Sequence, residues 1–158
     1  MRIEIFKNGK VWRQDYSRGE PQTTLTVVGE TKKTGTKIQF LPDPEIFEET
    51  VYVYDIIAKR LRELAFLNGG LKIELEDIRT DKKEEFLFKG GIKEFVQYLN
   101  RTREILHPKV AHIYKEISKT IVEIALQYNT GYQESILTYV NNINTLEGGT
   151  HLSGFKAA

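Results

Sequence analysis

The sequence is marked first by what it lacks, and cysteine is absent from all 158 residues. That absence excludes disulfide bonds, a thiolate nucleophile and any cysteine-held zinc or iron–sulfur site. The first six residues of the chain alternate like a strand and lack the continuous apolar core of a signal peptide, and no run comes near the roughly 20 apolar residues of a membrane helix. Its charges balance, with 23 basic against 22 acidic residues and a net charge of +1. This balance argues against an independent nucleic-acid-binding protein, and we expect a soluble, cytoplasmic protein.

Motifs for metal binding, phosphate binding and catalysis are also missing. Three histidines stand far apart without a partner four residues away: His107, His112 and His151. Such spacing does not form a metal-binding motif, and no glycine-rich phosphate-binding motif occurs either. The acidic pairs at 48–49 and 84–85 lie beside turn signals, which is typical of solvated faces. We therefore predict no catalytic residue and no metal site in these residues.

Strand signals dominate the first 41 residues. Asn8-Gly9 separates two alternating runs and predicts a hairpin, because both turn positions need positive φ. Further alternation follows a loop that contains Pro21 and a lysine-bearing turn at 29–35. The predicted strands are residues 1–6, 10–16, 24–28 and 36–41.

Two helices and a hairpin are predicted next. A brief extended stretch at 51–54 leads to Asp55, the predicted cap of a helix that ends at Asn68-Gly69. The apolar face of that helix is predicted to be Ile56, Ile57, Leu61, Leu64 and Ala65. A hairpin over 71–77 and 84–88 follows, and then a helix that starts after Gly90-Gly91 and ends near Asn100.

The last third reads as strands followed by the start of a helix. After His107-Pro108, strands are predicted at 110–117, 121–128 and 134–140, and Thr150 is the predicted cap of a final helix. Sheets and helices in two sections, joined near residue 100, indicate an α+β protein.

Two places could carry binding chemistry. Thr36, at the mouth of a strand, could offer its hydroxyl to a ring nitrogen or a water, with Ile38 packing on the ring. A plain hairpin turn explains the same residues. Lys156 on the final helix could contact an anion, and a solvated lysine is the simpler interpretation.

Five segments together resemble the gyrase B family of type II topoisomerases. They occur in family order, and the resemblance extends over nearly the whole chain: GETKKTGTKIQFLPDPEIF, YDIIAKRLRELAFLNGGLKIELED, FKGGIKEFVQYLN, VEIALQYN and NNINTLEGGTHLSGFKAA. The pairing of RLRELAFLN with EGGTHLSGFKAA is specific to this family rather than to its topoisomerase IV relatives.

The resemblance implies a fold and a role. Residues 1–100 would form the second half of a GHKL-type ATP-binding domain. Residues 101–158 would begin a transducer domain with a left-handed βαβ crossover. The family's catalytic glutamate, magnesium-binding asparagine, adenine-reading aspartate and phosphate lid would precede Met1, and its transducer lysine would follow Ala158. We therefore expect a fragment that is inactive alone, from a protein that uses ATP and Mg²⁺ and works with the gyrase A subunit and DNA.

The resemblance also implies site residues. The threonine of the family's TGT motif, which lies near the adenine, falls on Thr36, and the aliphatic residue two positions later falls on Ile38. Lys7 replaces an arginine that borders the aminocoumarin pocket, and lysine lacks the planar fork of that arginine. Lys156 replaces an arginine that faces the transported DNA, and it keeps the charge.

A second interpretation stays open at this point. The same fold could serve as a non-enzymatic interaction module, which would associate with other chains through exposed sheet edges. Self-association of the isolated chain is expected under either interpretation, through unpaired strand edges and partly uncovered apolar faces that carry Ile38, Phe40, Ile124 and Leu126.

Overall fold

A computed structural model describes all residues from Met1 to Ala158 and divides them into two compact units, Met1–Tyr52 and Val53–Ala158. The first unit contains strands β1 (Arg2–Lys7), β2 (Lys10–Ser17), β3 (Glu20–Pro21), β4 (Thr26–Glu30) and β5 (Gly35–Gln39). The second contains α1 (Tyr54–Leu67), β6 (Lys72–Asp77), β7 (Lys82–Leu87), α2 (Gly91–Asn100), β8 (Ala111–Ile117), β9 (Thr120–Leu126), β10 (Tyr139–Val140), β11 (Ile143–Asn144) and α3 (Thr150–Ala157). The predicted α+β class is confirmed.

The first unit is an antiparallel sheet in the order β3-β2-β1-β5, with β4 also paired to β2. The predicted hairpin is confirmed, since Asn8 and Gly9 have φ angles of 53° and 75°. Strand β4 begins two residues later than predicted. Thr23 is held outside the ladder because its hydroxyl accepts from the Asp15 amide at 3.0 Å and its carbonyl accepts from the Gln14 side chain at 3.0 Å.

The two faces of this sheet differ in chemistry. Cross-strand pairs place Ile5 beside Trp12 and Ile3 beside Ile38 on one face, which is apolar. The opposite face carries ion pairs, with 2.7 Å between Arg2 and Asp15 and 2.6 Å between Arg13 and Glu4. The hydrogen bond from Arg13 lowers the pKa of Glu4 below its usual value, against the effect of desolvation.

The core of the second unit is built on aromatic stacking. Phe66, at the end of α1, is fully buried, and its ring centroid lies 3.6 Å from that of Phe88 and 4.8 Å from that of Phe95. Ala58 and Ala65 of α1 are buried with Phe86 of β7. This packing joins both helices to the β6–β7 hairpin.

Part of the prediction for α1 is wrong. The helix begins at Tyr54 with Val53 as its N-cap, so Asp55 lies in the first turn and Tyr54 is helical rather than extended. Ile56 is 69% exposed, whereas Phe66, which the sequence did not indicate as core, is fully buried. The buried positions of α1 are Ala58, Ala65 and Phe66, and Ile56 lies off that stripe.

The last third contains the predicted β8–β9 hairpin but not the predicted strand over 134–140. Only Tyr139 and Val140 pair there, with Asn144 and Ile143, around a turn at Asn141-Asn142. Thr150 is the first residue of α3, with Gly149 as the N-cap and no side-chain capping bond, so its predicted capping role is wrong. None of the three helices is both long and apolar enough to cross a membrane. The domain boundary near residue 100 stays a prediction.

Replacing Phe66 with alanine should lower the free energy of unfolding by about 3–5 kcal/mol, because the change leaves a cavity within the stack. The matched change Ile56→Ala, on the exposed side of the same helix, should cost less than about 0.5 kcal/mol. Urea unfolding followed by circular dichroism measures both values. Equal losses for the two variants would contradict the assigned core.

Candidate functional site

A shallow depression of about 520 Å³ lies where β1 and β5 meet the hairpin turn. Its lining combines apolar side chains with a lysine, an amide and hydroxyls: Ile5, Phe6, Lys7, Asn8, Thr34, Gly35 and Thr36. An open depression of this kind offers one wall for a ligand rather than an enclosed cavity.

Strand register explains why these residues meet. Ile5 is directly opposite Thr36 and Phe6 is opposite Gly35. Gly35 has a φ of 146°, a conformation that disfavours side chains, and nothing lies within 4 Å of where its Cβ would be. The amide of Thr31 donates to the Gly9 carbonyl at 2.9 Å, which holds the turn before Thr34 against the hairpin.

The structure brings two predicted site residues into this depression and a third onto the same sheet face. Lys7 and Thr36 line the depression, and the Thr36 hydroxyl makes no hydrogen bond within the protein. Ile38 lies two residues farther along β5, opposite Ile3, with 62% of its surface exposed. A hydroxyl donor or acceptor next to an exposed aliphatic side chain suits a flat heteroaromatic ring.

Positive charge collects around the depression. Lys7 is directly opposite Lys10 across the hairpin, an arrangement that is unfavourable without an anion nearby. The other basic side chains of the first unit form ion pairs: Arg2, Arg13, Arg18 and Lys37. The four lysines without an ion pair, at positions 7, 10, 32 and 33, belong to the hairpin and to the turn that leads to Thr34.

The fourth predicted site residue, Lys156, lies in the second unit. It is in the last turn of α3, and its Nζ atom is 3.3 Å from Glu134 Oε2. Both side chains are more than half exposed, at 52% and 70%, so water and salt screen the pair. Lys156 can therefore exchange Glu134 for another anion at little cost.

A polar cluster at the end of α2 was not predicted from the sequence. Asn100 was predicted only as the end of a helix, yet its side chain is 8% exposed and bonded to Gln127 and Asn129. The available signal was weak, because it consists of amide residues next to the apolar run of β9. Sequence patterning does not show that these amides meet.

Comparison with known proteins identifies the relatives of this chain. A family model described as DNA gyrase B matches residues 91–158. The DNA gyrase B protein of Clostridium acetobutylicum is 52% identical over 99% of the chain, and that of Halalkalibacterium halodurans is 53% identical over 99%. The chain belongs to the DNA gyrase B family. It spans 25% of the length of each of these two gyrase B proteins.

Solved gyrase structures confirm the expected fold. The 43K ATPase domain of Thermus thermophilus gyrase B, crystallised with an aminocoumarin, is 42% identical and matches 99% of this chain with a TM-score of 0.86. The chain covers 43% of that structure. The gyrase B protein of Myxococcus xanthus, at 24% identity and a TM-score of 0.88, supports the fold alone.

Proposed function

We propose that this chain is part of a gyrase B protein, an ATP-dependent type II topoisomerase that introduces negative supercoils together with the gyrase A protein and DNA. The observation that carries the proposal is the 52% identity to a gyrase B protein over 99% of the chain. The interaction-module alternative is not favoured, because the relatives that match nearly the whole chain include gyrase B proteins at 52% and 53% identity. We propose a cytoplasmic location, because a protein with this function acts where the DNA lies.

In this proposal the chain contributes to two domains. Residues 1–100 supply the second half of the ATP-binding domain, and residues 101–158 supply the first part of the transducer. Nucleotide bound in the first part would reorient the transducer, and that movement would reach the DNA-cleaving core. The chain would then act as the mechanical connection between ATP and DNA.

The depression on the first unit supplies one wall of the nucleotide site. Thr36 would orient the adenine through its free hydroxyl, and Ile38 would pack on the ring. Lys7 would border the outer side, where its charge attracts anionic groups. When bound, ATP supplies the phosphoanhydride bond whose hydrolysis drives the cycle.

Magnesium and catalysis are not assigned to these residues. No three histidine, aspartate or glutamate side chains lie close enough together to hold a metal ion. The carboxylates on β1 and β2 are instead occupied by arginines. We propose that the general base and the Mg²⁺ ligand lie elsewhere in the gyrase B protein.

The aminocoumarin in the Thermus thermophilus structure suggests a ligand for the same region. Lys7 would border that ligand in this chain. A lysine provides a point charge without the planar stacking and paired hydrogen bonds of arginine. We propose that aminocoumarins bind more weakly to this chain than to relatives with arginine at this position.

A chimeric gyrase B protein tests the nucleotide site. In it, this chain replaces the matching 157 residues of the Clostridium acetobutylicum protein. Thr36→Val keeps the side-chain shape and removes the hydroxyl, so the KM for ATP should rise about fivefold to tenfold, since one hydrogen bond contributes about 1–1.5 kcal/mol.

The control for this test is Thr26→Val, an exposed threonine of the same sheet, which should leave KM unchanged. The 158-residue chain by itself should not hydrolyse ATP above a mock-purified control. Turnover by the chain alone, or equal KM values for the two variants, would contradict the proposed placement of the site.

A pair of substitutions on the second unit tests DNA contact. In the chimeric protein with its gyrase A partner, Lys156→Ala should weaken DNA-stimulated ATPase activity and leave basal activity intact. It should also reduce the salt dependence of DNA binding by about one unit of slope. Glu134→Gln, which frees Lys156 from its ion pair, should act in the opposite direction. Changes of the same sign in both variants would rule out a direct phosphate contact.

Exposed apolar surface suggests that the isolated chain associates with itself. Ile38 and Phe40 are 62% and 57% exposed, and Ile113 and Ile121 of the β8–β9 hairpin are 51% and 59% exposed. Ile124 and Leu126, which were expected to be partly uncovered, are half-buried. We expect light scattering to show a mass that rises with concentration. A monodisperse species of 18.3 kDa at high concentration would contradict this expectation.

A further inference from the structure

Asn100 is the polar side chain that the structure buries, with 8% of its surface exposed. Both the nitrogen and the oxygen of its side-chain amide form hydrogen bonds. The Nδ2 atom donates to Gln127 Oε1 at 3.0 Å, and the Oδ1 atom accepts from Asn129 Nδ2 at 2.8 Å. We call these three residues the amide clasp.

The amide clasp joins three segments of the chain. Asn100 ends α2, and its two partners lie just after β9. Gln127 Nε2 also donates to the carbonyl of His107 at 3.0 Å, within the connection between α2 and β8. Backbone bonds reinforce this arrangement, from Leu106 N to Tyr128 O at 3.0 Å and from Thr130 N to Glu104 O at 2.9 Å.

Buried amide pairs constrain orientation more strongly than apolar contacts do. Hydrogen bonds are directional, and each of these amides would be left unsatisfied if α2 rotated against β9. Apolar side chains could fill the same space and would tolerate sliding. The clasp therefore provides rigidity at the place where the proposed ATP-binding part meets the proposed transducer.

A second polar contact between these parts is more open to solvent. Arg60 of α1 donates to the Asn142 carbonyl at 2.8 Å, and Asn142 Nδ2 donates to Asn68 Oδ1 at 2.9 Å. The Arg60 side chain is 41% exposed, so water can replace its bonds. The clasp, in which Asn100 is buried, is consequently the stronger of the two polar constraints between these parts.

We propose that Asn100 is a positioning residue that holds the β8–β9 hairpin at a fixed angle to α2, so that nucleotide-driven movement reaches the transducer. The proposal rests on the proposed function. Asn100 touches neither nucleotide nor DNA in this proposal. It acts through Gln127 and Asn129, and its loss should uncouple ATP turnover from supercoiling rather than stop turnover.

Spin labels test the rigidity of the clasp directly. The chain has no cysteine, so Lys93→Cys on α2 and Lys119→Cys at the turn of the hairpin give two defined label positions. With the labelled chain diluted into an excess of unlabelled chain, so that association between copies brings few labels together, pulsed electron resonance should give one narrow distance distribution when Asn100 is intact. Asn100→Leu, close to asparagine in size, should broaden it, and Asn100→Asp, which keeps the acceptor for Asn129, should have a smaller effect. Gln97→Leu, an exposed amide on the same helix, is the control.

The functional measurement uses the chimeric protein with its gyrase A partner. Asn100→Leu should lower the number of supercoils introduced per ATP by about fivefold or more, the scale of typical coupling between sites. Basal ATPase activity should stay within about twofold, and Gln97→Leu should change neither quantity. A variant that merely destabilised the protein would lose both activities together.

The outcomes separate this inference from the proposed function. If the unsubstituted chimera does not supercoil DNA, the proposed function fails, and a narrow label distribution in Asn100→Leu would then overturn the rigid clasp as well. If the unsubstituted chimera is active and Asn100→Leu retains its supercoils per ATP, the inference is overturned and the proposed function stands. Broadened distances together with lost coupling support the inference.

Discussion

Strand β1 is the constraint on which the first unit depends, because it pairs with β2 on one side and β5 on the other. Side chains alternate along a strand, so a slip of one residue would exchange the two faces of the sheet. It would move Ile3 and Ile5 into the ion-paired face and separate Thr36 from the apolar side. The candidate site is therefore a consequence of strand register, and the Asn8-Gly9 turn sets the register between β1 and β2.

The arrangement of charges on the sheet explains how the first unit, whose charges balance, can present a positive region. Arginines on the strands find carboxylates directly across the ladder, as with Arg2 and Asp15. At the hairpin end, Lys7 faces Lys10 instead. Long-range attraction of an anion depends on such unpaired charge, whereas ion pairs within the sheet mainly specify which strands pair. The net charge of the whole chain does not show that the paired and the unpaired charges lie in different places.

Local signals located most hairpins and helices but misplaced the caps at Asp55 and Thr150 and the strand over 134–140, whereas long-range contacts account for the misjudged core residues. The hairpin at Asn8-Gly9 was predicted correctly, and the start of the helix after Gly90-Gly91 was predicted to within one residue, because their signals lie within a few residues. Ile56 and Phe66 were misjudged, since the burial of a helical residue depends on which partners arrive from β7 and α2. Asn100 is the extreme case, because its partners lie 27 and 29 residues later and no period in the sequence relates them. Sequence motifs located Thr36 and Lys7, but their meeting in one depression required the register of β1 and β5.

The second unit uses two kinds of contact that suit different tasks. The Phe66 stack is apolar and buried, so it stabilises the helices and the β6–β7 hairpin without strongly specifying one angle. The amide clasp adds less apolar burial, yet each of its groups loses a partner if the geometry changes. A protein that must transmit movement needs a stable body and a joint with few allowed orientations. Stacked aromatic rings within one part and satisfied amides between parts meet these two needs separately, so that a change at Asn100 can alter transmission while the stack keeps the fold.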